Sequence, residues 1–285
     1  MELTGVGVWS SQLRYSDATE AAEAAAELDE LGFTALWIPD VGGPVFDAVG
    51  RLMAATKKTV IATGILNLWM HSAEDVAQSY SALTDEHGDR FLLGIGVSHA
   101  PLIDAGQPGR YRKPLAATAA FLDAIDATPR PVPVDRRVLA ALGPKMLQLS
   151  ADRSRGAHPY LSTPEHTASA RATLGDGPLL LPEQTAIFCD TAEEARSIGA
   201  DWLRSYLALP NYANNLLRSG FSQDDLDQVS DRLLDAIIAW GDEEAIMRRV
   251  DEHRSAGADH VCVQVLTADA QAFPREQWRR LAAAL

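Results

Sequence analysis

The sequence predicts an α/β fold: a (β/α)8 barrel spanning residues 1–285 as one domain, with insertions after strands four and seven. Three observations carry that expectation. Eight short apolar runs, many rich in β-branched residues, recur along the chain. Segments with helical spacing separate them. Most of the runs are apolar on both faces, as strands of a parallel sheet covered by helices must be. Eight such units suggest closure into a barrel, with an open doubly wound sheet as the alternative.

The runs are GVGVW (5–9), ALWIPD (35–40), TVIATGILN (59–67), FLLGIGVS (91–98), RVLAAL (137–142), AHPYL (157–161), EQTAIFC (183–189) and HVCVQVL (260–266). In the first helical segment Ala21, Ala25, Leu28 and Leu31 share one face at the 3.6-residue period. Asp17 with Glu20, and Thr191 with Glu194, have the spacing of a capping box, and Thr163 precedes Pro164 at a first helical position. Gly32 and Gly257 mark helix ends. Two gaps are long: residues 99–136, and residues 190–259, which must hold at least three helices. Insertions that follow a strand lie at the C-terminal mouth of a barrel, where substrates bind. No tandem repeat, low-complexity tract or linker divides the chain.

Composition narrows the partners. A formal charge of −14 argues against a nucleic-acid surface and against an anionic membrane. Any anionic ligand must then be held by locally placed groups. Cys189 and Cys262 sit inside apolar strand-like runs and read as buried free thiols. The start MELTGVGVW enters a strand at once, without a basic or apolar leader segment, and no apolar run approaches the roughly 18 residues of a membrane helix. The expected location is cytoplasmic.

Side chains at strand C-terminal ends converge on the mouth: Trp9, Ser10, Asp40, Thr63, Asn67, Ser98, His99, Gly143 to Lys145, Tyr160, Ser162 and Gln264 to Thr267. Two chemistries find no support there. A Schiff-base enzyme needs a desolvated lysine on a strand. Of the four lysines, Lys57 and Lys58 precede strand three at the opposite face, Lys113 opens a helix, and Lys145 lies past a strand end. A metallohydrolase needs clustered His and carboxylate ligands, and the seven histidines form no His-x-His pair and no His-Glu-x-x-His. No metal site is expected. What remains suits a large planar cofactor that brings its own reactivity. Gly64, inside a strand, marks either a close approach or simple barrel packing. In LAALGPKM (139–146), Gly143 would cap a helix with Pro144 as its first residue. The N–H groups of Lys145 and Met146 would then stay unpaired at the positive helix end, with the Lys145 charge beside them. That turn reads as a phosphate site or as a plain strand-to-helix connection.

Together GFTALWIPD, IATGILN, DRFLLGIGVSHAP, VLAALGPKMLQLSADRSRGAHPYLSTPEH, LPNYANNLLRSGF and AGADHVCVQVL resemble the luciferase-like flavin and deazaflavin oxidoreductases, and more narrowly their actinobacterial coenzyme F420-dependent branch. The similarity runs from strand one through strand eight. It implies a luciferase-like TIM barrel, usually a homodimer, holding F420 across its mouth and passing hydride between the deazaflavin and a small-molecule substrate. It also implies site residues. Thr63, Gly64, Ile65 and Asn67 fall on the family's strand-three motif, whose cis peptide maps to Gly64–Ile65. Ser98 and His99 fall on the strand-four end. Gly143, Pro144, Lys145 and Met146 fall on the turn that holds the cofactor phosphate. Many F420-dependent relatives carry an acid/base histidine after the acidic residue that ends strand two. Here Asp40 is kept and Val41 takes the histidine's place. That leaves His99 as first candidate proton donor and Tyr160 as second, or a reaction that needs none. The alternatives are an FMN-dependent monooxygenase on the same barrel and a cofactor-binding but catalytically inert paralogue.

Overall fold

Every strand in the computed structural model, which describes residues 3–285, pairs with its neighbours in parallel. In chain order they are β1 (Gly5–Trp9), β2 (Ala35–Ile38), β3 (Val60–Thr63), β4 (Leu66–Asn67), β5 (Phe91–Gly96), β6 (Arg137–Leu139), β7 (Gly156–Ala157), β8 (Leu179–Leu180), β9 (Glu183–Phe188), β10 (Ile238–Gly241) and β11 (His260–Val265). They pair in the order β10-β9-β11-β1-β2-β3-β5-β6-β7-β8, with β4 also on β5. β8 and β9 are two halves of one run, parted at Pro182. Leu181 N–H donates to the Ala157 carbonyl on one side of that run, and Cys262 N–H donates to the Pro182 carbonyl on the other. The run therefore closes the sheet into a barrel. With β3–β4 and β8–β9 each counted as one strand, the barrel has the expected eight.

Strand alternation sorts the side chains into two apolar layers. Val6, Val8, Leu36, Ile38, Ile61 and Val263 face outward and pack against the helices. Trp9, Trp37, Ala62, Leu92, Val138 and Cys262 face inward and fill the barrel. At Gly7 the inner face has no room for a side chain, because a Cβ there would lie 2.6 Å from the Ala35 carbonyl oxygen and 2.7 Å from His260 Nε2. Cys189 and Cys262 are both free and buried.

The expected helix starts are real. Asp17 accepts from the N–H groups of Thr19 and Glu20, Thr191 from that of Glu194, and Thr163 from that of His166, with Pro164 next in line. A two-way capping box forms at Ser222 and Asp225. Gly32 ends its helix with φ at +94°, a left-handed conformation open to glycine. The first insertion carries helices Ala100–Gly106 and Pro114–Asp126. The second carries Ala192–Leu207, Pro210–Arg218, Gln223–Gln228, Asp231–Ile237 and Glu243–Ser255. It also holds β10, a ninth pairing segment that the sequence reading did not anticipate. IAWG is only four residues long and pairs with the outer half of β9, beyond the reach of β7. No helix among the described residues is long and apolar enough to cross a membrane.

Candidate functional site

The strand C-terminal ends open into a cavity of about 470 Å³. Trp9, Asp40, Gly64, Ile65, Ser98, His99 and Tyr160 reach its wall from successive strands, and Gly143 and Met146 from the turn after β6. Tyr206, Tyr212 and Arg218 reach it from the second insertion. The two long gaps thus do return to the mouth. Four of the expected residues do not line the cavity. Thr63 is fully buried, and its hydroxyl donates to the Gly94 carbonyl (2.8 Å) and accepts from the Gly94 N–H (2.9 Å), tying β3 to β5. Asn67 Oδ1 accepts from Trp69 N–H at 3.2 Å. Pro144 and Lys145 are exposed and lie outside the lining.

The Gly64–Ile65 peptide is cis. Its Gly64 carbonyl accepts from Trp9 Nε1 at 3.0 Å. A Cβ on Gly64 would sit 2.7 Å from Trp9 Nε1 and 3.0 Å from His158 Nε2. A side chain on Gly64 would collide with both rings, so packing inside the barrel alone requires glycine here.

Asp40 is buried just past β2. One of its oxygens, Oδ2, accepts from Asn67 N–H (3.1 Å) and from His71 Nε2 (2.7 Å). The other, Oδ1, has no partner among the described residues. His71 thus supplies a histidine to Asp40 from the loop after β4, although Val41 occupies the adjacent position in the chain. His71 was missed because it is remote from Asp40 in sequence. The only hint was its place shortly after the strand-three motif.

His99 caps the helix Ala100–Gly106, and its ring lies 4.9 Å from that of Tyr212. Nδ1 has no partner, and burial lowers the ring's pKa to about 4. At neutral pH it is therefore an uncharged imidazole, able to accept a proton but rarely carrying the extra one of a cationic acid. Tyr160 donates to Gln264 Oε1 at 2.6 Å, and the Tyr206 hydroxyl lies 3.1 Å away. Burial raises the pKa of Tyr160, Tyr206 and Tyr212. Deeper still, burial pushes Glu183 up to about 7 against the bonds from Thr185 and Leu161.

The turn after β6 needs one correction. Gly143 does precede a helix that begins at Pro144. The Met146 N–H, however, donates to the Gly143 carbonyl at 3.0 Å, so it is not free as the sequence reading expected. This tight i→i−3 bond is a common way for a first helical turn to close. The cation at the turn also differs. Arg218 Nη2 lies 3.8 Å from where a Gly143 Cβ would be, and Arg218, unlike Lys145, lines the cavity. Only the helical spacing of NYANNLLRSGF hinted at Arg218, and it could not place that helix over the turn.

An aromatic-walled mouth at the C-terminal face of a parallel barrel, with unpartnered polar atoms on its lining residues, is the place where barrel enzymes bind their ligands. Residues 3–260 match the family described as luciferase-like monooxygenase, and the chain belongs to that family of oxidoreductases. A Mycobacterium tuberculosis protein named for coenzyme F420-dependent oxidoreductase activity is 22% identical, the match covering 98% of this chain and 96% of the relative. Two solved structures share the fold. One is an F420-dependent secondary alcohol dehydrogenase in complex with an F420–acetone adduct, with a TM-score of 0.77 at 14% identity, covering 100% of this chain and 98% of that one. The other is the oxygenating constituent of 3,6-diketocamphane monooxygenase from Pseudomonas putida in complex with FMN, with a TM-score of 0.70 at 13% identity over 98% and 96% of the two chains.

Proposed function

We propose that this chain is an F420-dependent oxidoreductase that passes hydride between the deazaflavin and a small organic substrate. The distribution of polarity in the cavity carries the reading. Its middle is aromatic, its unpartnered polar atoms sit at fixed points on the wall, and its cation stands at one end beside the glycine turn. A planar cofactor with an anionic tail fits that pattern. Gly64 and Ile65 on the wall would meet the ring, while Gly143 and Arg218 would meet the tail. The name and near-complete coverage of the Mycobacterium tuberculosis relative support F420 in particular.

When bound, the deazaflavin accepts or gives the hydride; the chain's own work is orientation and proton handling. Asp40 belongs to the cavity wall, Asn67 and His71 hold its Oδ2, and its Oδ1 is buried without a partner among the described residues, so Asp40 is the carboxylate we assign to proton handling. His99, whose Nδ1 has no partner among the described residues, is a second polar group on the wall.

Purified protein titrated with F420 and with FMN tests the assignment. Submicromolar FMN binding without F420 binding would favour the second reading, an FMN-dependent monooxygenase, which the family's own description supports. Reduced F420 should then be screened against unsaturated ketones, imines and nitro compounds. Binding without turnover of any of these would support the inert paralogue instead. We also propose a single domain over 1–285, a homodimer and a cytoplasmic location. Limited proteolysis, light scattering and fractionation check these in turn.

A further inference from the structure

His158, which follows β7, is not among the residues that the sequence reading singled out. Its ring lies flat against Trp37, with centroids 4.3 Å apart and planes 15° apart. Nδ1 is 2.7 Å from the Leu181 carbonyl oxygen. A carbonyl only accepts, so the proton sits on Nδ1 and Nε2 carries a lone pair. The side chain is 1% exposed, yet it belongs to the cavity wall, and Nε2 has no partner among the described residues.

No nearby protein donor is free to fill that gap. Trp9 Nε1 donates to Gly64, Trp37 Nε1 donates to His260 Nε2 (3.2 Å), and the Tyr160 hydroxyl donates to Gln264. Gly64 is the neighbour packed against Nε2, and any Cβ there would stand 3.0 Å from the atom. Buried acceptors are nearly always matched, and an unmatched one at a cavity wall is a place for a ligand donor. A neutral imidazole whose Nε2 lone pair is unmatched selects a donor and disfavours an anion.

We propose that His158 is a cofactor-binding residue whose Nε2 accepts a hydrogen bond from the ring N–H of the planar group held against Gly64. This rests on the cavity holding a flavin or deazaflavin. Its consequence is specificity: the site recognises a ring edge that donates, and it resists one whose donor is blocked.

Two substitutions separate recognition from support. His158→Asn keeps a donor for the Leu181 carbonyl but has no atom at the Nε2 position. His158→Gln brings an amide oxygen to that position and gives up the Leu181 bond. F420 and FMN affinities are measured by fluorescence titration, with the absorption spectrum of the bound ring and the melting temperature of each variant. The expected result is affinity about 10-fold weaker in the Asn variant, near the upper range for one neutral hydrogen bond, and within about 3-fold of wild type in the Gln variant. A purely structural role predicts the reverse order, and that order would overturn the inference. A measurement that needs no variant is the affinity of the wild-type chain for the ring-N-methylated analogue of whichever cofactor binds. Weakening of about 10-fold or more is expected; equal affinity refutes the role of His158. If the wild-type chain binds neither F420 nor FMN, it is the cofactor reading that fails.

Discussion

Two buried aspartates at opposite ends of the barrel are treated in opposite ways. Asp29, at the end of the helix Ala18–Leu31, accepts from the N–H groups of Lys57, Lys58 and Thr59 and from the Thr59 hydroxyl. It pins the entry to β3. Asp40, past the exit of β2, has two donors on one oxygen and none on the other. The histidines divide similarly. His260 below and His253 in the helix layer have partners on both nitrogens, whereas His99 and His158 at the mouth each leave one bare. At the mouth, the unsatisfied atoms of Asp40, His99 and His158 are the ones a ligand can complete.

Removing each aspartate should show that difference most strongly. Asp29→Ala strands three backbone N–H groups and a hydroxyl, so a loss of about 3 kcal/mol or more is expected in urea unfolding. Asp40→Ala strands fewer donors beside an open cavity and should cost about 1 kcal/mol. Equal losses would erase the contrast. The sign with pH also follows. Burial opposes ionisation of Asp29, but its bonds from Thr59, Lys57 and Lys58 outweigh burial and hold its pKa below the ordinary value. Its contribution is therefore present above about pH 4 and lost as pH falls through the lowered folded pKa.

For turnover the ranking inverts. Asp40→Asn should slow F420-linked turnover about 100-fold, within the range of general acid–base effects. Its melting temperature and cofactor affinity should stay near wild type. A variant with full turnover would remove Asp40 from proton handling. His71→Leu, which frees Asp40 from its orienting partner, should cost about 10-fold, within the range seen when an orienting partner is lost.

Much of the barrel was legible because its information is local. Alternating runs, capping residues such as Asp17 and Thr191, and glycines such as Gly32 each act within a few residues of themselves. Asp40, Ser98, His99 and Gly143 were legible as mouth residues because strand ends must meet there, whereas Gly64 stood out as a glycine inside a strand and Ile65 came only with the family resemblance. His71, His158 and Arg218 were not. Each gains its role from a partner far along the chain: Asp40, Gly64 and the Gly143 turn. β10 escaped for a different reason, since four residues inside a helical insertion carry too little period to read.

The cation at the turn gives a smaller effect. Arg218→Ala should weaken F420 about 10-fold, the 1–2 kcal/mol of a charge-assisted contact at a partly exposed site. Lys145→Ala, outside the lining, should change affinity less than about 2-fold. The opposite ranking would return the phosphate role to Lys145.

The finest test of the contrast is in acid. Burial lowers the pKa of His99 and His158 to about 4, and that of His253 and His260 to about 3, against an ordinary 6.5. Between those values the unfolded chain binds protons that the folded chain refuses. Stability should therefore fall as pH drops from about 6.5 toward 4, each histidine adding up to about 1.4 kcal/mol per pH unit. His99→Gln should reduce that slope by about one proton, read from urea midpoints at stepped pH, while costing little at pH 7 because Nδ1 makes no bond there. An unchanged slope would mean that His99 already binds its proton in the folded chain. It would then be a cationic donor, and the mouth would be charged where the structure makes it neutral. With burial holding its pKa at about 4, His99 serves the site at pH 7 as a neutral imidazole.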